Sequence, residues 1–509
     1  MPAQTHDRCY WTEIARAAPS HPALTGELEV DVAIVGGGIV GVVTARLLKD
    51  RGLTVAVVEA GRAGHGVTGR STAKVTAQHS LFLQRIESQH GREAARAYTD
   101  ANRAGVALIG ELTERHGLAC DLEPADSYVY ATTADGVEKL EAERAAAARA
   151  GLPMEIVGGP GLPYPISAAL RLAGQRQFQP ADFVAGLAAT IPGDGSFVFE
   201  NSRVVDWDET RVATEGGAVR ARHVVMATHL PLGQVGMYYA HTHAHMHAVM
   251  AVPVEAGRAP AGMHISADEP KRSIRRHRAA SGATVLILTG PTFKHGKPAE
   301  EESAFGELEA FAREHFGYSG GGWRWSNEDY VPRDHLPYVG WSGAAGKSLL
   351  VATGFDAWGL SNGAAAGRII ADLCQGRENP WAECFDASRH SLKGLGKFAK
   401  DQAEVAKDLV GGHLRSYPDA EQAGQLAEGD IVKVDGAKAG VYRDSGGRLQ
   451  AVSATCTHMG CALGWNPVDR TWDCPCHGSR FSAEGRVVHG PAFTPLEPVA
   501  LSAETERTD

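Results

Sequence analysis

The sequence predicts an α/β domain with an inserted, largely antiparallel β layer, followed by a small all-β domain. Three observations predict it. Residues 31–59 read strand, glycine loop, helix, strand. Residues 348–375 repeat the order strand, glycine-rich turn, helix. From about Leu426 the pattern changes to short strands and glycine turns around a cysteine and histidine cluster.

The chain has 509 residues, enough for two or three domains at about 150 residues each. Its 50 Lys and Arg against 60 Asp and Glu give a net charge of −10. That argues against nucleic acid or an anionic membrane as a partner, since both require a concentrated positive field. Hydrophobic content of 43% and charged content of 22% are those of an ordinary globular protein. No apolar run approaches the ~18 residues of a membrane span. The opening MPAQTHDRCYWTEIARAAP lacks a basic head followed by an apolar stretch, so a cytoplasmic location is expected.

In chain order, 1–30 read as an N-terminal segment. Asp31–Val35 is a buried strand, Ile39–Arg51 a helix ended by Gly52, and Thr54–Val58 a second strand, together a parallel-sheet crossover. Residues 86–150 are mostly helical, interrupted by the strand-like SYVYATT at 127–133. Residues 197–228 read as a strand meander and 283–290 as a strand. At 348–375 the chain is expected to return to the first domain, with the intervening segments forming the antiparallel layer. The domain so built spans 31–376. A helical linker covers 377–425, with an amphipathic helix over 388–410, and the all-β domain covers 426–503.

Gly36-Gly37-Gly38-Ile39-Val40-Gly41 is G-x-G-x-x-G between a strand and a helix, and Glu59 ends the next strand. Gly36 permits the tight turn, Gly38 lets the backbone approach a pyrophosphate, and Gly41 lets helix pack on strand. The helix N-terminus turns its free N–H groups to the phosphates, and Glu59 is placed to hold a ribose hydroxyl. The loop's position near the N-terminus and the later LLVATGFDAWGL strand favour FAD over NAD.

Tyr10-Trp11, the glycine loop, GRSTAKVTAQH at 69–79, HLPYVG at 335–340 and GFDAWGLSNGAAAGRIIADL at 354–373 resemble the D-amino-acid-oxidase-like superfamily of flavin amine oxidoreductases. The resemblance spans about residues 10–380. It implies an FAD-binding Rossmann-like domain with an inserted antiparallel β substrate domain, and oxidation of a C–N bond. By the same resemblance, Ser71, Thr72 and Ala73 lie near the flavin and pyrophosphate. Val204 touches adenine through its backbone, and Gly354, Trp358, Gly359 and Leu360 line the isoalloxazine. Some members link FAD covalently through a histidine after the second strand. Thr72 and Ala73 stand in that stretch here, so non-covalent FAD is expected.

Cys456-Thr-His458-Met-Gly-Cys461 and Cys474-Pro-Cys476-His477-Gly-Ser479 contain two thiols and two imidazoles at C-x-H and C-x-x-H spacing. Such a set can make a tetrahedral zinc site, but zinc leaves Cys461 and Cys476 unexplained. The pattern CTHMGC…CPCHGS resembles the Rieske 2Fe–2S signature. The resemblance implies that Cys456 and Cys474 ligate one iron, that His458 and His477 ligate the other, and that Cys461 and Cys476 form a disulfide. Two imidazoles in place of two thiolates lower the negative charge and raise the potential. Ser479 matches the family serine that hydrogen-bonds a cluster sulfur. High-potential members carry a tyrosine two residues later, where this chain has Phe481, so a potential below that of respiratory Rieske proteins is expected. The two signatures together resemble a small group of FAD oxidoreductases with a C-terminal Rieske domain.

Three further constellations have a plainer reading beside the functional one. HTHAHMH at 241–247 puts His241, His243, His245 and His247 on one face of a strand, a polar face or pocket lining more readily than a metal site. Lys271, Arg272, Arg275, Arg276 and Arg278 form a basic run, either a solvated face or, through Arg272 or Arg275, a carboxylate clamp. Lys294 and His295 follow a strand that would reach the flavin. The candidate catalytic residues are therefore Arg275, Lys294 and Trp358.

The functional expectation is an FAD-dependent amine or amino-acid dehydrogenase. It would pass electrons singly to the Rieske cluster and on to an external acceptor, because an oxidase that reduces oxygen directly needs no cluster. The alternatives are reversed flow, with the Rieske domain receiving electrons, and a redox sensor.

Overall fold

The computed structural model describes residues 9–343, 346–389, 415–420 and 426–501. Strand Gly26–Val35 lies at the centre of the first sheet. It pairs in parallel with Gly217–Met226 on one side and Val55–Val58 on the other, and Phe197–Phe199 extends the parallel edge. The strand starts at Gly26, inside the segment read as N-terminal, because Gly26–Val30 find partners in Gly217–Ala221. Near the start of the chain, Trp11 Nε1 donates to the Ser71 carbonyl at 2.8 Å.

The chain does return to this sheet. Leu349–Thr353 pairs in parallel with Val224–Met226, and helix Gly359–Cys374 follows it. The Gly and Ala run of that helix allows close approach. A Cβ on Gly367 would lie 2.8 Å from Val43 Cγ1, and one on Gly105 would lie 2.2 Å from the Ser361 carbonyl oxygen. Helices Ile39–Asp50 and Arg92–Arg115 can therefore both pack against it.

The meander at 197–226 joins this first sheet, not the second layer. The buried VVM end of Gly217–Met226 needs parallel neighbours on both sides, Gly26–Val35 and Leu349–Thr353. The second sheet runs in the order Trp323–Pro332, Thr242–Val254, Thr284–Phe293, Ser273–Arg278, Met263–Ser266, Ser127–Ala131, Ala168–Leu172, Glu155–Val157. It is antiparallel except where Met263–Ser266 meets Ser127–Ala131. Helix Pro298–Phe316 covers one face of it with Phe305, Leu308, Ala312 and Phe316 against Met246, Leu286 and Leu288.

The C-terminal domain has two four-stranded sheets. One is Ile431–Val434, Ala437–Arg443, Leu449–Ser453 and Pro498–Val499. The other is Gly464–Asn466, Thr471–Asp473, Arg480–Ser482 and Val487–His489. Ala420 packs into the core of the first. Apart from Ser388 and Arg389, the helix expected over 388–410 lies outside the described residues. Among the described residues no helix is long and apolar enough to cross a membrane.

Candidate functional site

The glycine loop owes its shape to contacts that exclude any side chain. Gly36 has φ +108°, and a Cβ there would lie 2.5 Å from the Ala227 carbonyl oxygen. A Cβ on Gly41 would lie 2.0 Å from the Gly36 carbonyl oxygen. Gly38 caps helix Ile39–Asp50, and Ile39 N donates to Thr68 Oγ1 at 3.2 Å. Glu59 accepts from Gly37 N at 2.7 Å and Gly61 N at 2.8 Å. Burial pushes its carboxyl above the usual range against those two donors.

A cavity of about 430 Å³ opens over this loop. Gly36, Gly38, Ile39, Glu59, Arg203 and Val204 line it, with the Arg203 charge near Glu59. Ser71, Thr72, Ala73, Trp358, Gly359 and Leu360 line it as well. Gly41 and Gly354 stand behind the wall. At Gly354, φ +75°, a Cβ would lie 2.7 Å from Pro332 Cγ. A glycine cradle at a helix N-terminus with a carboxylate at the second strand's end fits a dinucleotide.

The three candidate catalytic residues separate. Trp358 lines the cavity and stacks on His79, with ring centroids 4.7 Å apart at 18°. Arg275 does not line it. Its guanidinium donates to the carbonyls of Ala73 and Phe178, both at 2.9 Å, and lies over Trp11. It braces the segment carrying Thr72 and Ala73, and of the basic run it is Lys271 and Arg272 that line the cavity. Lys294 is also outside the cavity, beyond the end of strand Thr284–Phe293, with its N–H directed to Glu300 Oε2 at 3.2 Å. Of the histidine run only His247 lines the cavity.

Sequence reasoning passed over other lining groups. Lys74 donates to the His264 carbonyl at 2.7 Å, and burial with Arg275 nearby lowers its ammonium to about 7. Burial and Asp356 raise the Asp329 carboxyl to about 8. Lys74 sat in the GRSTAKVTAQH motif. His229, Glu328 and Asp329 carried no local pattern.

The C-terminal domain holds its cysteines and histidines on two similar loops. Gly460 N reaches the Cys456 carbonyl at 2.9 Å, and Gly478 N the Cys474 carbonyl at 3.1 Å. The rings of His458 and His477 lie 5.2 Å apart at 83°. His458 Nδ1 and Nε2 and His477 Nδ1 are buried without a hydrogen-bond partner. The thiols of Cys456 and Cys474 hydrogen-bond each other, which with Ser479 brings Cys456 down to about 7. Cys461 and Cys476 form a disulfide, and the sulfur of Cys474 lies within 4.8 Å of both their sulfurs. Two facing thiols and two imidazoles with orphaned nitrogens fit a 2Fe–2S cluster with mixed ligands.

Residues 31–373 match the family described as FAD dependent oxidoreductase, and residues 417–500 match the Rieske 2Fe-2S domain. The second match decides for the cluster over zinc. The chain is 33% identical over 499 residues, 97% of each chain, to a protein of Bacillus subtilis (strain 168) named as a Rieske 2Fe-2S iron-sulfur protein, YhfW. It is 27% identical over 237 residues to gamma-glutamylputrescine oxidoreductase of Escherichia coli (strain K12), covering 45% of this chain and 55% of that one. The fold resembles glycine oxidase from Geobacillus kaustophilus, with TM-score 0.57 and 22% identity, over 71% of this chain and 99% of that one.

Proposed function

The chain belongs to the FAD dependent oxidoreductases and carries a C-terminal Rieske 2Fe–2S domain, and on that footing we propose that it is an amine or amino-acid dehydrogenase whose electrons leave one at a time through the cluster to an external acceptor. FAD supplies a hydride acceptor for a C–N bond, and the cluster supplies a one-electron carrier. The observation that carries the reading is the shared seam: the cavity that takes the flavin is lined in part by His489 and Gly490 of the Rieske domain.

The residues of the cavity support the substrate class. Lys271 and Arg272 bring positive charge to the lining, with the Arg272 guanidinium held toward Glu307 at 3.4 Å. Trp358, backed by His79, gives a flat apolar wall. Lys74 near 7 and Asp329 near 8 are groups able to take or give a proton close to neutrality. The named activities of gamma-glutamylputrescine oxidoreductase and glycine oxidase point to the same class.

The cluster edge supports an external acceptor. Met459, next to His458, is 51% exposed, and Met237, on the segment that brings Tyr239 against both cluster histidines, is 55% exposed. A cytoplasmic location belongs to this reading, with the disulfide shielded because both its cysteines are buried.

The test is anaerobic. Amines and amino acids are added to the purified protein without oxygen, while flavin absorbance and the cluster EPR signal are followed. One compound is expected to bleach the flavin as the reduced-cluster signal grows. If none does so while dithionite reduces both centres, the dehydrogenase reading fails.

A further inference from the structure

The wall of the flavin cavity comes from two domains. Val488, His489, Gly490, Ala492 and Phe493 of the Rieske domain line it together with the glycine loop and the segment after strand Gly217–Met226. His489 is the polar side chain of that Rieske segment. Its Nε2 lies 3.2 Å from His229 Nδ1, its Nδ1 lies 3.0 Å from Glu328 Oε2, and its ring stacks on Tyr330 at 5.9 Å and 21°.

Glu328 is 2% exposed and is the hub of these contacts. Besides His489, it accepts from Tyr330 Oη and interacts with His295 Nε2, both at 2.9 Å through Oε1. Tyr330 Oη also reaches the carbonyls of His477 and Gly490 at 3.3 and 3.4 Å. Burial opposes ionisation of Glu328, but His489 and His295 hold its carboxyl down to about 2. A carboxylate buried this deeply is costly without its partners, and one of them arrives only with the Rieske domain.

The rest of the seam fits in one orientation. A Cβ on Gly464 would lie 2.2 Å from the Gly296 carbonyl oxygen, and one on Gly478 would lie 2.7 Å from both Glu328 Oε1 and Tyr330 Oη. Gly233 N donates to the Pro491 carbonyl at 3.1 Å.

We infer that the Rieske domain completes the flavin cavity, contributing His489 to its wall, and that Glu328 is the positioning residue that latches the cluster loop in one orientation over that cavity. This rests on both cofactors being held by one chain. It requires neither a particular substrate nor an external acceptor.

The test uses the full-length holoprotein with a nitroxide on Asp194→Cys, a position 92% exposed on the flavin domain. Pulsed EPR measures the distance from the label to the reduced cluster. Flash photoreduction of the flavin measures the internal electron-transfer rate. The otherwise unaltered protein is expected to give one narrow distance distribution. Glu328→Ala is expected to broaden it and slow transfer by at least roughly tenfold in the molecules that hold both FAD and cluster. Glu328→Gln, which keeps the shape and an acceptor oxygen, is expected to recover part of the rate. Should Glu328→Ala not fold, His489→Ala at the Rieske edge carries the same expectation. An already broad distribution without these changes, or an unchanged distance and rate in the variants, overturns the latch. A failure of the amine panel with a narrow distance retained would leave the latch standing and sink only the dehydrogenase reading.

Discussion

Ser479 is fully buried, accepts from Ala492 N at 3.1 Å and hydrogen-bonds Cys456. A hydrogen bond to a ligating sulfur stabilises the more negative, reduced cluster. Ser479→Ala is therefore expected to lower the cluster midpoint potential, read by EPR-monitored redox titration, without changing the cluster content. Phe481, two residues on, has no polar atom to add a second such bond and is packed fully inside the domain core. Glu301 has a different kind of residue-scale consequence. It accepts from Ser326 Oγ at 2.7 Å, and burial pushes its carboxyl up to about 8. Between the ordinary carboxylate range and pH 8 the folded chain holds a proton that the unfolded chain has released. Stability therefore falls as pH rises through that window. Glu301→Gln is expected to flatten the fall, so that melting temperatures at pH 6 and pH 9 differ less than in the unaltered protein.

Among the elements, the strand–loop–helix unit read at 31–51 was the most legible, because its requirements are local, whereas the strand's start at Gly26 depends on its pairing with Gly217–Ala221. Gly36 must adopt a positive φ, and Gly41 must let helix lie on strand. Gly41→Ala is expected to abolish FAD retention, since its Cβ would meet the Gly36 carbonyl oxygen at 2.0 Å. The check is the ratio of flavin absorbance to protein after gel filtration. The meander at 197–226 was legible as strands but not in its sheet. Period-2 alternation shows that a strand has two faces, whereas the choice of neighbour depends on a partner far along the chain, here Gly26–Val35. Arg275 shows the same limit in a side chain. A basic run reads alike whether its members face a ligand or brace a loop, and strand Ser273–Arg278 turns Arg275 inward to the Ala73 and Phe178 carbonyls.

For the whole molecule, the seam between the domains is held by charge as well as by glycine contacts. Asp469 of the Rieske domain pairs with Arg70 of the flavin domain at 2.5 Å and with Arg480 at 2.7 Å, and Arg480 pairs with Asp473 at 3.1 Å. Asp469 and Arg480 are both buried, so removing the shared carboxylate takes the counter-charge from Arg70 and leaves Arg480 with Asp473 alone. Asp469→Ala is expected to cost about 3–5 kcal/mol, read as a lower denaturation midpoint with the loss of flavin and of cluster signal compared across the same titration.

The sequence by itself determined the two cofactors and their order along the chain. Those depend on short spacings whose chemistry is local: a glycine where no Cβ fits, a thiol and an imidazole on one tight loop. Only the tertiary structure decided which residues line the cavity between the two domains. Glu328, His229 and His489 are far apart in the chain and stand in no pattern. They meet because a buried carboxylate requires partners, and the folded domains supply them from opposite sides of one seam.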